Sequence, residues 1–488
     1  MKKIIISTLA VSALLFTTSC ENDFDTDVKD IQITSGEANF SNYVSLGNSL
    51  TSGYRDGALY SSGQNESYPS IIAMQMKLAG GGAFKQPLMP NDVGGFIGLP
   101  GFPGKLTLQV TASGSLGPVA SSPAAALDNV TAGGPYHNMG VPGAKSFHLV
   151  APGYGSSANL ALGAANPYFV RFATSPTTSV LQDAMAQKPT FFSLWIGNND
   201  VLSYATNGGT NSQTVGGVTT YTPATVQSGN VNPLTYKSND ISDPNLVAGS
   251  IKNVLDGLKS VGTTKGVIAN IPYVTSIPFF TTVPYNPLTP TTLGANLATL
   301  NTNLYGPLKQ ALTAFGAGDR INLLSSTSSN PVLIKDVALT NLSAQLTAAL
   351  TPSLGLPTAT AFGQIFGQAR QATSEDYILL TTSSLIGTPA PGAPAPANVY
   401  GISYPLQNQH VLTKTEASYV KTAVDAYNNS IKSLADSYGL AFVDGNAKMV
   451  ELNGKSGILY DGVRYTAKFV TGGAFSLDGV HLTGRGYA

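Results

Sequence analysis

The chain has 488 residues, more than the ~100–200 of a typical domain, so it holds either several domains or one domain with long insertions. Hydrophobic residues make up 42%, enough for a large core, but charged residues only 11%, less than half the usual ~25%. Lys plus Arg and Asp plus Glu number 26 each, without the basic excess of a nucleic-acid binder, and 52 Gly with 30 Pro call for many loops.

At the N-terminus, Lys2 and Lys3 precede an apolar run over 4–16, and Thr17-Thr18-Ser19 then lead to Cys20, the only cysteine. A run that short does not comfortably cross a ~30 Å hydrocarbon core and fits the apolar region of a secretory signal, here residues 1–19. The cysteine directly after small residues resembles the lipobox of bacterial lipoproteins. That resemblance implies removal of the signal, lipidation of Cys20 and a place in the cell envelope as an outer-membrane lipoprotein. Glu21, Asp23, Asp25 and Asp27 then read as part of a tether over 20–41. With a single cysteine, no disulfide can form within the chain, so the fold must rest on its core.

The first structured unit starts at Tyr43-Val44-Ser45-Leu46, a β-prone run that stops at Gly47 and delivers Asn48 and Ser49 into a polar loop. A parallel α/β sheet places its ligands there, beyond the carboxyl ends of its strands. Apolar spacing over 66–78 predicts a helix, with Pro69 tolerable in its first turn. Residues 80–134 are rich in Gly, Pro, Ala and Ser and read as an insertion with one strand at 106–111. A loop with two glycines follows, His137-Asn138-Met139-Gly140-Val141-Pro142-Gly143-Ala144-Lys145. Spacing over 178–187 predicts a helix. Thr190-Phe191-Phe192-Ser193-Leu194-Trp195-Ile196 is the strongest buried-strand pattern in the chain, and it ends in Gly197-Asn198-Asn199-Asp200.

Residues 203–244, dominated by Thr, Asn, Gly and Ser, read as a second, hairpin-like insertion. A helix over 246–261 and a buried strand over 265–272 follow, then a long amphipathic helix over 289–315. Within a third insertion near 320–400, residues 320–324 suggest a strand, and the Pro/Ala stretch 388–397 can be neither helix nor central strand. A helix over 412–438 and a strand over 440–444 close the alternation. Strands alternating with helices predict an α/β fold of three layers, a central parallel sheet covered on both faces.

Asp478-Gly479-Val480-His481 lies near the end of the chain. An Asp three residues before a His can orient the imidazole and favour the tautomer whose other nitrogen faces a serine. His137, His148 and His410 lack an acid at comparable spacing.

These four blocks, in this order, resemble those of the SGNH hydrolases, the GDSL esterase and lipase family. The resemblance implies that Ser49 is the nucleophile, Asp478 and His481 its partners, and Ser49, Gly143 and Asn199 the oxyanion hole. It implies hydrolysis of carboxylic esters through an acyl-enzyme, with no metal or organic cofactor. One residue departs from the pattern: Asn48 stands where the family has Asp, a supporting position at which Asn can still accept a hydrogen bond. The family also places a helix after the last block, which leads to the expectation that the chain is cut short at Ala488.

There is no Gly-x-Ser-x-Gly elbow, no His-Glu-x-x-His zinc helix and no Gly-x-x-x-x-Gly-Lys phosphate loop. Because the first two insertions are polar and Gly-rich and spring from the catalytic end of the sheet, they are expected to shape the site around a short acyl group. The alternatives are a long-chain lipase and a non-catalytic surface lipoprotein that keeps the fold as a binding module. The expected partners are an ester substrate and, through Cys20, a membrane.

Overall fold

In the computed structural model, residues 33–111 and 114–488 are described. The signal segment and Cys20 lie outside them. The core is built in chain order from β1 (Tyr43–Gly47), the short helix α1 (Ser49–Ser52), α2 (Tyr68–Met76), β2 (Asn138–Gly140), α3 (Val180–Ala186), β3 (Phe191–Trp195), α4 (Asn199–Thr206), α5 (Pro244–Ser260), β4 (Gly266–Ala269), α6 (Lys414–Tyr438) and β5 (Ala441–Val443). All five strands are parallel, in the order β2-β1-β3-β4-β5. Strand order reverses beside β1, so its carboxyl end is where a ligand crevice opens in a doubly wound sheet.

Strand alternation divides the sheet into two faces. Val44, Leu46, Phe192, Leu194 and Ile268 form one continuous core with Leu181, Leu255 and Val424 of α3, α5 and α6. On the opposite face, Tyr43 Oη and Ser193 Oγ are 2.7 Å apart, and Tyr68 of α2 packs edge-on against Trp195 with ring centroids 5.7 Å apart. The architecture is three-layered α/β/α.

The long helices form where local chemistry supports them. α6 buries Val420, Ala423, Val424, Tyr427, Ile431 and Ala435, one stripe at helical spacing. Thr413 and Glu416 make a reciprocal capping box at its start, and Gly439 ends it in a left-handed cap. α5 starts with Asp243 as N-cap and Pro244 in its first turn. No described helix is long and apolar enough to cross a membrane.

Residues 106–110 pair with 116–120, and 210–215 with 218–223, as antiparallel hairpins inside the first two insertions. The expected long helix over 289–315 is broken into Pro290–Leu293, Asn296–Leu300, a π-helical turn Asn301–Tyr305 and Gly306–Ala314. Gly294 leaves the helical conformation at φ +52°, and Gly306-Pro307 interrupts the hydrogen-bond ladder. The expected strand over 320–324 is irregular backbone after a short 3₁₀ turn.

The third insertion is wider than its composition suggests. Residues between Leu288 and Val411 build a second apolar core around Tyr305, Ile334, Leu346 and Phe366. Within it, buried Arg370 bridges Asp336 at 2.7 Å and Asp376 at 2.6 Å. Asp376 also accepts the Lys414 N–H at 2.9 Å, which fastens this lobe to the start of α6.

Candidate active site

The position of Ser49 is set by close approach of backbone. A side chain on Gly47 would lie 2.1 Å from Thr51 Oγ1 and 2.4 Å from the Trp195 carbonyl, so only glycine lets β1 turn into α1 here. Asn48 follows as the N-cap, its side chain accepting the Leu50 N–H at 3.0 Å. Its amide donates to Asn198 Oδ1 at 3.1 Å, and Asn48 has no exposed surface. Asn at this position therefore ties the ends of β1 and β3 together while using both halves of its side chain. A carboxylate here could only accept, and could not donate to Asn198. Ser49 is next, 6% exposed at the start of α1.

The last block forms a tight loop. Asp478 Oδ1 accepts the backbone N–H groups of Val480 at 2.9 Å and His481 at 2.8 Å, and the Ser476 hydroxyl at 3.0 Å. Its Oδ2 accepts Gly57 N–H at 2.9 Å and lies 2.8 Å from His481 Nδ1. Burial pushes the Asp478 carboxyl up, but the His481 charge and these hydrogen bonds outweigh it and hold the group down at about 2. An ionised carboxylate can only accept, so Nδ1 carries the hydrogen and the lone pair of the neutral ring is on Nε2. Gly479 has φ +70°, and a side chain there would meet Leu380 Cδ2 at 2.9 Å. The turn that brings Asp478 under His481 therefore needs glycine.

A cavity of about 550 Å³ is lined by Ser49, Asn199 and His481 together. The structure thus gathers the first, third and fourth blocks, separated by up to 432 residues in sequence, around one space. Leu50, Leu202, Val274, Ile277 and Val480 give it apolar walls. Gly143 does not border this space. It lies with Asn199 along a neighbouring groove of about 1290 Å³, and it has φ +80°. Asn199 belongs to both, and its Nδ2 donates to the Ala144 carbonyl at 2.9 Å.

The first two insertions do not line the Ser49 cavity. Met89, Phe96 and Ala125 of the first join Leu59 and Tyr168 in a small core packed against Tyr54. Tyr54 in turn lies against the His481 ring, centroids 4.8 Å apart, so this insertion backs the imidazole. The second insertion contributes Val231, Leu234 and Tyr236 to the groove beside Gly143.

Residues 55–57 hold the loop of the last block, a contact that the block pattern alone does not reveal. Asp56 N–H donates to Ser476 Oγ at 2.9 Å, and Asp56 Oδ1 accepts Leu477 N–H at 2.9 Å. With Gly57 N–H on Asp478, this turn clamps the loop that carries the acid and the histidine. Asp56 pays for this role with a left-handed backbone, φ 53°, and its other oxygen accepts the Tyr60 hydroxyl at 2.6 Å. The sequence signal was the Asp-Gly dipeptide, an ordinary turn marker, which says nothing about what the turn holds. Among the described residues, no group of three or more His, Cys, Asp or Glu side chains could hold a metal ion.

No family model, curated protein or solved structure matches this chain.

Proposed function

We propose that this chain is a serine hydrolase that cleaves carboxylic esters through an acyl-enzyme. The observation that carries the reading is the one cavity that Ser49 and His481 both line, with His481 Nδ1 held by Asp478 at 2.8 Å. The fixed tautomer leaves Nε2 as the base. In the proposed reaction Nε2 takes the Ser49 proton as Oγ attacks the ester carbonyl, and the imidazolium is stabilised by the Asp478 carboxylate. Collapse of the tetrahedral intermediate returns that proton to the leaving alcohol. Water then attacks the acyl-enzyme with His481 again as base, releasing the acid.

The developing oxyanion needs donors already in place. The Asn199 amide and the backbone N–H groups of Ser49 and Gly143 are the candidates, in keeping with the resemblance to GDSL esterases and lipases. One such donor is worth about 3–4 kcal/mol of barrier.

The walls of the cavity bear on the acyl group. The polar insertions expected to enclose the site around a short acyl group do not line the cavity, and Leu50, Leu202, Val274, Ile277 and Val480 do. These favour an acyl group with several methylenes, each adding about 0.8 kcal/mol on burial. Anchoring through Cys20 in the cell envelope is part of the same proposal and rests on the N-terminal pattern.

Two measurements test the reading. A fluorophosphonate probe should label Ser49 in the wild type and not in Ser49→Ala, which should also lose p-nitrophenyl ester hydrolysis while melting as the wild type does. Absence of labelling in the folded wild type would leave the fold as a binding module. A series of p-nitrophenyl esters from acetyl to palmitoyl should give its highest kcat/KM beyond butyryl; a maximum at acetyl would restore the short-chain reading.

A further inference from the structure

Asn199 and Asp200 begin α4 side by side, and each holds a different part of the loop that carries Gly143. Asn199 fixes the Ala144 carbonyl, as described above. The Asp200 carboxylate accepts the Ser146 backbone N–H at 2.7 Å and the Ser146 hydroxyl at 3.0 Å, and Asp200 has no exposed surface. Between these anchors Lys145 turns inward, 6% exposed, and its Nζ donates to the Asp240 carbonyl at 2.9 Å. The Ser242 N–H donates to the Asp200 backbone carbonyl at 2.9 Å. Asp240 and Ser242 both belong to the second insertion.

Burying a carboxylate is costly unless donors and a cation compensate it. Burial dominates and raises the Asp200 carboxyl above its ordinary value, although Lys145 and the Ser146 donors pull it down. Burial likewise lowers the Lys145 ammonium against the pull of Asp200 and Asp240. The insertion end is also ordered: the Asp240 carboxylate accepts from Asn211 Nδ2 at 3.0 Å, Thr225 N–H at 2.9 Å and Gln227 Nε2 at 2.9 Å. The Asn199, Asp200 and Lys145 bonds of this buried knot meet on residues 144–146, directly after Gly143.

We propose that Asp200 is a positioning residue for the oxyanion hole, acting through Ser146 to fix the Gly143 loop against Asn199. By way of Asp240 and Ser242, the second insertion is then part of that scaffold and not a detachable cover. The proposal deepens the ester-hydrolase reading and rests on it for its kinetic consequence, but its structural half is independent of it.

The test uses the full chain with Asp200→Asn and, as a milder change, Ser146→Ala. Asp200→Asn keeps one acceptor oxygen for the Ser146 N–H, but it loses the charge that faces Lys145 and presents an NH₂ group to the Ser146 hydroxyl, which donates in the wild type. It should lower kcat by about 10- to 100-fold, a fraction of what loss of a whole oxyanion donor costs, with KM within about twofold. Ser146→Ala should lower kcat in the same direction by less. Combined with Asn199→Ala, the Asp200→Asn loss should be much less than additive, because both act on one hole. Hydrogen exchange followed by mass spectrometry should show faster exchange of amides 143–146 in both variants, with 476–482 unchanged. Unchanged exchange at 143–146 in the folded variants, or fully additive kinetic losses, would overturn the proposal. If the wild type neither labels nor hydrolyses esters while the exchange result holds, the ester reading fails and the scaffold stands.

Discussion

Asp478 grips His481 at both ends: Oδ2 meets the ring at Nδ1 and Oδ1 accepts the residue's own backbone N–H, each at 2.8 Å. Asp478 therefore sets the rotamer and the tautomer of His481 at once. Asp478→Asn keeps the shape but offers an amide in place of the carboxylate, so kcat should fall by about 10⁴-fold.

The same carboxylate makes an acid-stability prediction. Its pKa is lowered from 3.8 to about 2, so between those values the unfolded chain binds the proton and the folded one does not. The contribution, about 2 kcal/mol, is present above the ordinary value and is lost as pH falls toward 2. Urea unfolding from pH 6 down to pH 2 should show this loss in the wild type and not in Asp478→Asn. Parallel curves for the two proteins would mean that Asp478 titrates alike in both states.

Asn199→Ala removes the side-chain donor proposed for the oxyanion and, with it, the tie to the Ala144 carbonyl. Steady-state kinetics should show kcat down by roughly 10²–10³ with KM little changed. A change confined to KM would instead make Asn199 a substrate-binding residue.

Asp56→Ala leaves the Leu477 N–H without its acceptor and forces a less tolerant residue into a left-handed backbone. It should cost about 1–3 kcal/mol in chemical denaturation and lower kcat through looser placement of Asp478 and His481. If stability drops but kcat holds, the clamp supports the fold and not the chemistry.

Cys20→Ser concerns the part of the chain that only the sequence describes. If Cys20 is lipidated, fractionation should move the protein from the membrane pellet to the soluble fraction. Continued sedimentation with membranes would point to another anchor.

The sequence by itself determined much of the framework, because the relevant physics is local. Continuous β-prone runs at 43–46 and 190–196, helical spacing over 246–261 and 412–438, and their alternation specify a parallel sheet with helices on both faces. Gly47 and Gly479 lie within the blocks that marked Ser49 and His481, so the pairing of Asp478 with His481, three residues apart, was also legible. Asn48, Asp56 and Asp200 were different. Their side chains act on partners as much as 421 residues away, as in the Leu477 N–H to Asp56 bond, and no local pattern records which distant backbone group a buried oxygen will meet. Insertion roles were hidden for the same reason. Polar, Gly-rich composition places residues 80–134 and 203–244 outside regular elements, but only packing decides that one backs Tyr54 and the other clasps Lys145. The break in the helix over 289–315 and the second core around Ile334 likewise depend on contacts between segments, which apolar spacing within one segment cannot encode.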